Sequence, residues 1–221
     1  FSGSLGAVSG VGAVRNWTIN DQQDAKTTVA SNTRMGTARR QGVKSWTGSY
    51  TINGHTPVLP GVIQTFVGYT APTTGVRGTA GNRFSGSIII DSFTTTWSWV
   101  DNGIISTTVN FSGSGTLTKA SGAAVVDATS VTPPTVCGGI VTMDAVTIPS
   151  VTVASLTITA ANKPISNSST NCQIERRAGP IDATMSITQE EDTGIFAAPS
   201  EGGILVINSD WTITWAQIGR A

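Results

Sequence analysis

Charge is scarce in this chain. Only 12% of the 221 residues are Asp, Glu, Lys or Arg, and the formal net charge is zero. A broad basic surface for nucleic acid is therefore excluded. A free soluble monomer normally carries more surface charge. Two explanations stand side by side. The surface meets other subunits, whose interface cores are depleted in charge, or the chain is a secreted β protein with a Ser/Thr surface. Cysteine is equally sparse. Cys137 and Cys172 are too few for a disulfide scaffold, and no CxxC or His/Cys cluster suggests zinc. Buried free thiols are the expectation.

Long apolar runs are missing too. No stretch reaches the roughly 18 residues of a membrane span. The N-terminal residues 1–14 have neither a basic segment nor an apolar core, so no signal peptide is expected. The one histidine, His55, sits beside the Asn53-Gly54 turn, where nothing supports a Ser-His-Asp or Cys-His arrangement. Glu190-Glu191-Asp192 lacks the alternating spacing of a calcium loop and reads as a solvated turn. Neither a P-loop nor HExxH occurs. No enzymatic activity, cofactor or metal is expected.

What the chain does have is β pattern. Phe84 to Thr118 reads as three strands in a row. Ile88 to Ile90 is a short apolar run. Phe93, Thr95, Trp97 and Trp99 then share one face, with Thr94, Thr96 and Ser98 on the other. A period of two in β-branched and aromatic residues marks a half-buried strand. Asp101-Asn102-Gly103 is a hairpin turn signal, after which Ile105, Thr107, Val109 and Phe111 resume the alternation. The paired tryptophans suggest either a stacking platform for sugars or a packed core. The regular alternation, with few polar groups beside it, favours the core.

Residues 1–13 read as an extended arm or irregular edge strand, and Val14 to Ile19 as a first strand. Asn20 to Gln41 is long and polar, with local positive charge at Arg34, Arg39 and Arg40. Loops of this length are functional or disordered, or this one is an extended hairpin whose tip orders on a partner. Gly42 to Asn53 returns to strand. Leu59 to Tyr69 is the best helix candidate, with Val62, Ile63, Phe66 and Val67 at helical spacing and Pro60 in the first turn. Residues 120–134, ending in Pro133-Pro134, form a low-complexity linker. The remainder, 135–221, is β-patterned at Ile140–Met143, Val151–Thr159, Ala183–Thr188, Ile204–Ile207 and Trp211–Trp215.

The second part echoes the first in order. Trp17-Thr18-Ile19-Asn20 matches Leu156-Thr157-Ile158-Thr159. Arg39-Arg40-Gln41-Gly42 matches Arg176-Arg177-Ala178-Gly179. Thr47 to Thr51 matches Thr184 to Thr188, and Phe93 to Trp97 matches Trp211 to Trp215. These blocks suggest a degenerate internal duplication.

Residues 14–118 resemble the major tail tube proteins of long-tailed bacteriophages. The resemblance rests on element order: a strand, a long polar hairpin loop, a strand with a Gly-containing opening (Gly42 to Tyr50), a helix, and a closing meander. That meander ends in Phe111-Ser112-Gly113-Ser114-Gly115-Thr116-Leu117-Thr118. It implies an all-β fold: a β-sandwich tail-tube-like domain over 14–119 with one flanking short helix, followed by a second β domain over 135–221. That second domain is a duplicated tube domain or an added outer one.

The resemblance further implies that the chain polymerises into stacked rings around a lumen. Neighbouring sheets would join, and DNA would pass without specific binding. The ring would be a hexamer, or a trimer with pseudo-sixfold symmetry if the chain is duplicated. Other tail proteins would be partners, no membrane would be involved, and the location would be the virion tail, assembled in the host cytoplasm. Asp24, Lys26, Arg34, Arg39 and Arg40 would belong to the inter-ring loop. Thr94, Thr96, Ser98 and Thr108 would belong to a lumen or sheet face. A capsid decoration protein, a pilin or adhesin subunit and a carbohydrate-binding module are the alternatives.

Overall fold

The computed structural model describes residues 2–5, 14–29, 37–54, 59–70, 80–100, 103, 105–124, 140–143, 146–148, 150–166, 174–190, 204–207 and 211–214. Expectations placed on Arg34, His55, Asp101-Asn102, Cys137, Cys172 and Glu191-Asp192 lie outside these residues.

Among the described residues the protein is all-β, and all strand pairs are antiparallel. In chain order the strands are β1 (Ser2–Leu5), β2 (Val14–Val29), β3 (Thr37–Asn53), β4 (Ile63–Tyr69), β5 (Ala80–Ser98), β6 (Ser106–Ala124) and β7 (Val141–Met143). There follow β8 (Val146–Ile148), β9 (Val151–Ala160), β10 (Lys163–Ile165), β11 (Glu175–Arg177), β12 (Ile181–Gln189), β13 (Ile204–Ile207) and β14 (Trp211–Thr214).

The long β5–β6 hairpin is the spine. The expected run of three strands is two, because Ile88–Ile90 and Phe93–Trp97 belong to one strand whose register shifts between Ile90 and Ser92. The main sheet runs β1-β4-β5-β6-β3-β2. The far edge of β5 holds two partners in succession. β4 pairs its Arg83–Ile89 stretch, and β9 pairs it from Ser92 to Ser98, with β12 outside β9. The C-terminal part of the chain thus adds strands to the sheet of the N-terminal part. β6 runs on to Ala124, past the boundary expected at 119.

The helix expected over Leu59–Tyr69 is strand β4, paired to both β1 and β5. Val62, Ile63, Phe66 and Val67 fit a helical face, but Val62 and Ile63 are exposed while Phe66 is buried. Period two wins because Ile63, Thr65 and Val67 are β-branched and pair with β5, and Val67 gains a second partner in β1. The preceding turn contains Gly61 at φ 81°, a left-handed conformation that starts no helix.

The sheet rolls on an aromatic cluster. Trp17 of β2 meets Phe66 of β4 and Phe84 of β5 edge-to-face at 5.7 and 5.8 Å, although three strands separate β2 from β4 in the sheet. Phe66 lies 5.1 Å from Phe111, which also touches Tyr50 and Trp46. Trp46 lies across Gly113, where any Cβ would run into its indole. Its Nε1 donates to the Gly115 carbonyl at 3.1 Å.

Beyond this cluster the core continues through Ile52, Phe93, Trp97, Ile105, Leu156 and Ile158. Val141 of β7 and Ile148 of β8 join the same core, so the small sheet β14-β13-β7-β8 covers this end, sandwich-like. Each large side chain buried here contributes about 1.5–3 kcal/mol. Trp97 is fully buried and Trp99 half-buried, which gives them the core role.

Two threonines sit inside this core. Thr95 and Thr107 are both 0% exposed. Asp91, at the register shift, accepts from Ser112 Oγ at 2.5 Å and from Asn162 Nδ2 at 2.8 Å. Asn162 Nδ2 also donates to the Ile90 carbonyl at 2.9 Å.

Candidate functional site

The sheet face opposite the core is the most regular surface of the molecule. It is built by register. Ser49, Asn110, Ser92 and Thr159 form one rank across β3, β6, β5 and β9. Thr51, Thr108, Thr94 and Thr157 form the next, and Asn53, Ser106, Thr96 and Ser155 the third. Every one of these positions is a hydroxyl or an amide. At strand and residue spacing the array covers roughly 14 Å by 14 Å. β2 extends the middle rank with Asn16, and β12 extends it with Thr184.

Cross-strand hydrogen bonds hold the array together. Thr94 and Thr157 hydroxyls are 2.9 Å apart, Thr51 and Thr108 3.5 Å, and Thr18 and Ser49 2.9 Å. Asn110 Nδ2 donates to Ser92 Oγ at 3.1 Å. Such pairs occupy only part of each hydroxyl's capacity, which leaves donors and acceptors for water. The central array presents no cation to a phosphate. An open depression of about 380 Å³ lies on its β2–β3 side, lined by Thr18, Asn20, Thr47, Ser49, Asn110 and Asp91.

Of the four residues expected on this face, Thr108 is exposed and Thr94 and Thr96 are half-buried within the array. Ser98 stands on the same face but is 7% exposed, at the end of β5 opposite Val153. The contributions of β3 and β9 were missed. Their signal was present: Ser49, Thr51 and Asn53, and Ser155, Thr157 and Thr159, alternate with the buried Tyr50, Ile52, Leu156 and Ile158.

The polar stretch after Ile19 is a second feature. It is an extended hairpin. β2 and β3 stay paired out to Val29 and Thr37, whereas β6 pairs β3 only from Thr47 to Asn53. Beyond Thr47 the two strands form a ribbon with no third strand. The register opposes Lys26 to Arg40 and Thr27 to Arg39, and Asp24 is exposed near the root. Where β3 parts from β6, Ile174 fills the fork. Its N–H donates to the Lys44 carbonyl at 3.2 Å, and its carbonyl accepts from Gly115 N–H at 2.9 Å.

Two sheet edges complete the surface. Among the described residues, β12 pairs β9 on one side only, and β2 pairs β3 on one side only. These are opposite ends of the six-strand stretch β2-β3-β6-β5-β9-β12. Among the described residues no group of three His, Cys, Asp or Glu side chains comes together. No family model matches the chain. No curated protein matches it either.

Proposed function

We propose that this chain is a structural subunit that polymerises into stacked rings, forming the hollow tail tube through which a long-tailed bacteriophage delivers DNA. The observation that carries this reading is the charge-free array of hydroxyls and amides across β3, β6, β5 and β9. A channel wall that DNA must slide past needs hydration without phosphate-binding cations. The array meets both needs.

The open edges support ring formation. Unpaired strands invite pairing with another chain, and β12 of one copy meeting β2 of the next would continue the sheet around a lumen. The β2–β3 ribbon is the element that would reach the adjacent ring. The residues after 134 are read as a degenerate copy of the first part. Hairpin β2–β3 flanks one side of β5–β6, and β9 with β12 flanks the other. That arrangement favours a trimeric pseudo-hexamer over a hexamer. Other tail proteins would cap the tube, and the location is the virion tail.

Negative-stain microscopy of the purified full-length chain tests the reading. Hollow tubes of stacked rings are expected. A monodisperse monomer across concentration and salt would remove the proposal.

A further inference from the structure

One tetrapeptide occurs three times in this chain. Phe1-Ser2-Gly3-Ser4, Phe84-Ser85-Gly86-Ser87 and Phe111-Ser112-Gly113-Ser114 are identical, so three of the six phenylalanines open the same sequence. An aliphatic residue follows the first two, Leu5 and Ile88. The two internal copies show what the pattern does in a strand. Its odd positions turn to the core and its serines turn away. Phe111 is buried, and Phe84 meets Trp17 edge-to-face. A Cβ at Gly86 or at Gly113 would run into the Trp46 indole. The glycine is the position where a tryptophan lies across the strand.

The fold brings two of the copies to opposite edges of β4. On one edge β4 pairs β5, with Phe84 opposite Gly68 and Gly86 opposite Phe66. On the other it pairs β1, with Gly3 opposite Gly68, Ser4 opposite Val67 and Leu5 opposite Phe66. Both copies run antiparallel to β4, and both set their glycine in register with the core-facing positions Phe66 and Gly68. A tryptophan lies here too, since a Cβ at Gly68 would sit 3.1 Å from the Trp17 indole. The outer edge of β4 is thus a slot that accepts this sequence, and β1 is the strand in it.

We infer that, on assembly, the β4 edge takes β1 from a second copy of the chain. This rests on the tube reading and names a strand exchanged between ring neighbours. Among the described residues β1 has no ladder except with β4. Pairing with β4 of a neighbour reproduces the same hydrogen bonds, a low-cost exchange of an identical element between protomers. Main-chain bonds supply affinity in such strand addition, and alternate side-chain positions supply specificity. Residues 6–13 join β1 to β2 and span at most about 27 Å, over five strand spacings. Topology sets donor beside acceptor. β4 and β9 lie along the same edge of β5, so β1 and β12 face the same way, and β2 closes the other end. A copy that sets its β2 against β12 of its neighbour therefore brings its own β1 to the side of the neighbour's β4. In dilute solution a short tether favours the copy's own β4 through an effective concentration in the millimolar range. Inside a ring the neighbour's edge is held at a comparable concentration, and that advantage is lost.

The test uses the register partners Ser4 and Val67. Two full-length chains carry Ser4→Cys or Val67→Cys, each with Cys137→Ser and Cys172→Ser, and circular dichroism melts serve as a folding control. Paired strand positions lie within the Cα separation that a disulfide needs. The two chains are mixed, assembled and oxidised, and linked peptides are identified by mass spectrometry. A bond between the two different chains forms only when β1 of one lies on β4 of the other. The assembled fraction should hold at least tenfold more of this bond than the dilute fraction. A chain carrying both substitutions, kept dilute, should close on itself. Where the cysteine chains fail to fold, the wild-type chain and a synthetic peptide of residues 1–8 decide. Excess peptide should fill the slot and lower assembly at least tenfold, and a scrambled peptide should not.

Tubes without bonds between the two chains, or wild-type tubes that ignore the peptide, would overturn the exchange and leave the tube reading standing. Bonds between chains in small closed oligomers, with no tubes, would support the exchange and remove the tube reading. Absence of wild-type assembly under all conditions would remove both.

Discussion

Thr95 and Thr107 face each other across β5 and β6 inside the core, their hydroxyl oxygens 2.8 Å apart, and only one order of donation fits. Thr107 gives its single proton to the Gly54 carbonyl, so Thr95 must donate to Thr107. Thr107→Val strands both the Gly54 carbonyl and the Thr95 hydroxyl. It should cost about 1–3 kcal/mol, while Thr95→Val removes only the outer donor and should cost about 0.5–1.5 kcal/mol. Denaturant midpoints at constant slope would measure both. Equal costs would show that the relay runs otherwise.

Gly113 and Trp46 are coupled in the same way by space. A Cβ at 113 runs into the indole, so Gly113→Ala should lose about 1–3 kcal/mol through overpacking. Trp46→Phe should recover part of that loss in the double variant, although by itself it removes the bond to the Gly115 carbonyl. A double-mutant cycle that gives no coupling would mean that the indole moves aside freely.

Asp91 anchors three segments through Ser112 and Asn162. Asp91→Ala leaves the part-buried Ser112 hydroxyl and Asn162 amide short of an acceptor and should destabilise by about 1–3 kcal/mol. Hydrogen exchange should rise first at Asn162 and Ser112. Uniform protection with an unchanged midpoint would contradict the anchor.

The hydroxyl array makes a functional prediction. Thr94→Lys/Thr108→Lys places two cations in its middle rank at little cost in stability, within about 1 kcal/mol for part-exposed sites. Tubes of this variant should retain duplex DNA in a salt-sensitive manner, and wild-type tubes should not. Equal retention by both, measured by co-sedimentation, would remove the array from the channel wall.

Ring stoichiometry has a dimension attached. Six strands per copy at about 4.8 Å give a backbone-to-backbone lumen of roughly 28 Å for three copies and roughly 55 Å for six, before strand tilt widens both. Class averages of end-on rings would separate the two. The trimer predicts the narrower channel.

Much of the fold was legible where burial on one face writes itself into alternation. β9 and β12 lie near their expected bounds, and the middle of β5 and of β6 was legible, because Phe93, Trp97, Val109, Phe111, Leu156 and Ile158 point one way and Thr or Ser the other. β4 was not legible. Val62, Ile63, Phe66 and Val67 satisfy a helical face as well as a strand, and only pairing to β1 and β5 decides between them. The β5–β9 pairing is a contact between distant segments, and no local pattern announces it. The ribbon carries no apolar stripe, since two strands without a third have no core to face. Three of the twelve array positions, Thr94, Thr96 and Thr108, were visible in the sequence. The β3 and β9 half became visible only once register aligned the strands.

The register shift at Asp91 acts as a phase shifter. Ile88 and Ile90 are even-numbered and Phe93 and Trp97 odd-numbered, yet all four belong to the one core cluster, while Ile89, also buried, does not. Strict alternation would put the two groups on opposite sides. The one surplus residue between them inverts the parity of everything that follows. Deleting that one residue would restore strict alternation and leave threonines 94 and 96 looking outward, whereas a single deletion elsewhere in the strand, with the bulge kept, would turn the wall inside out. Away from the bulge, length changes in this strand are tolerable only in pairs, a constraint on how such chains can drift that acts on residue count rather than residue type.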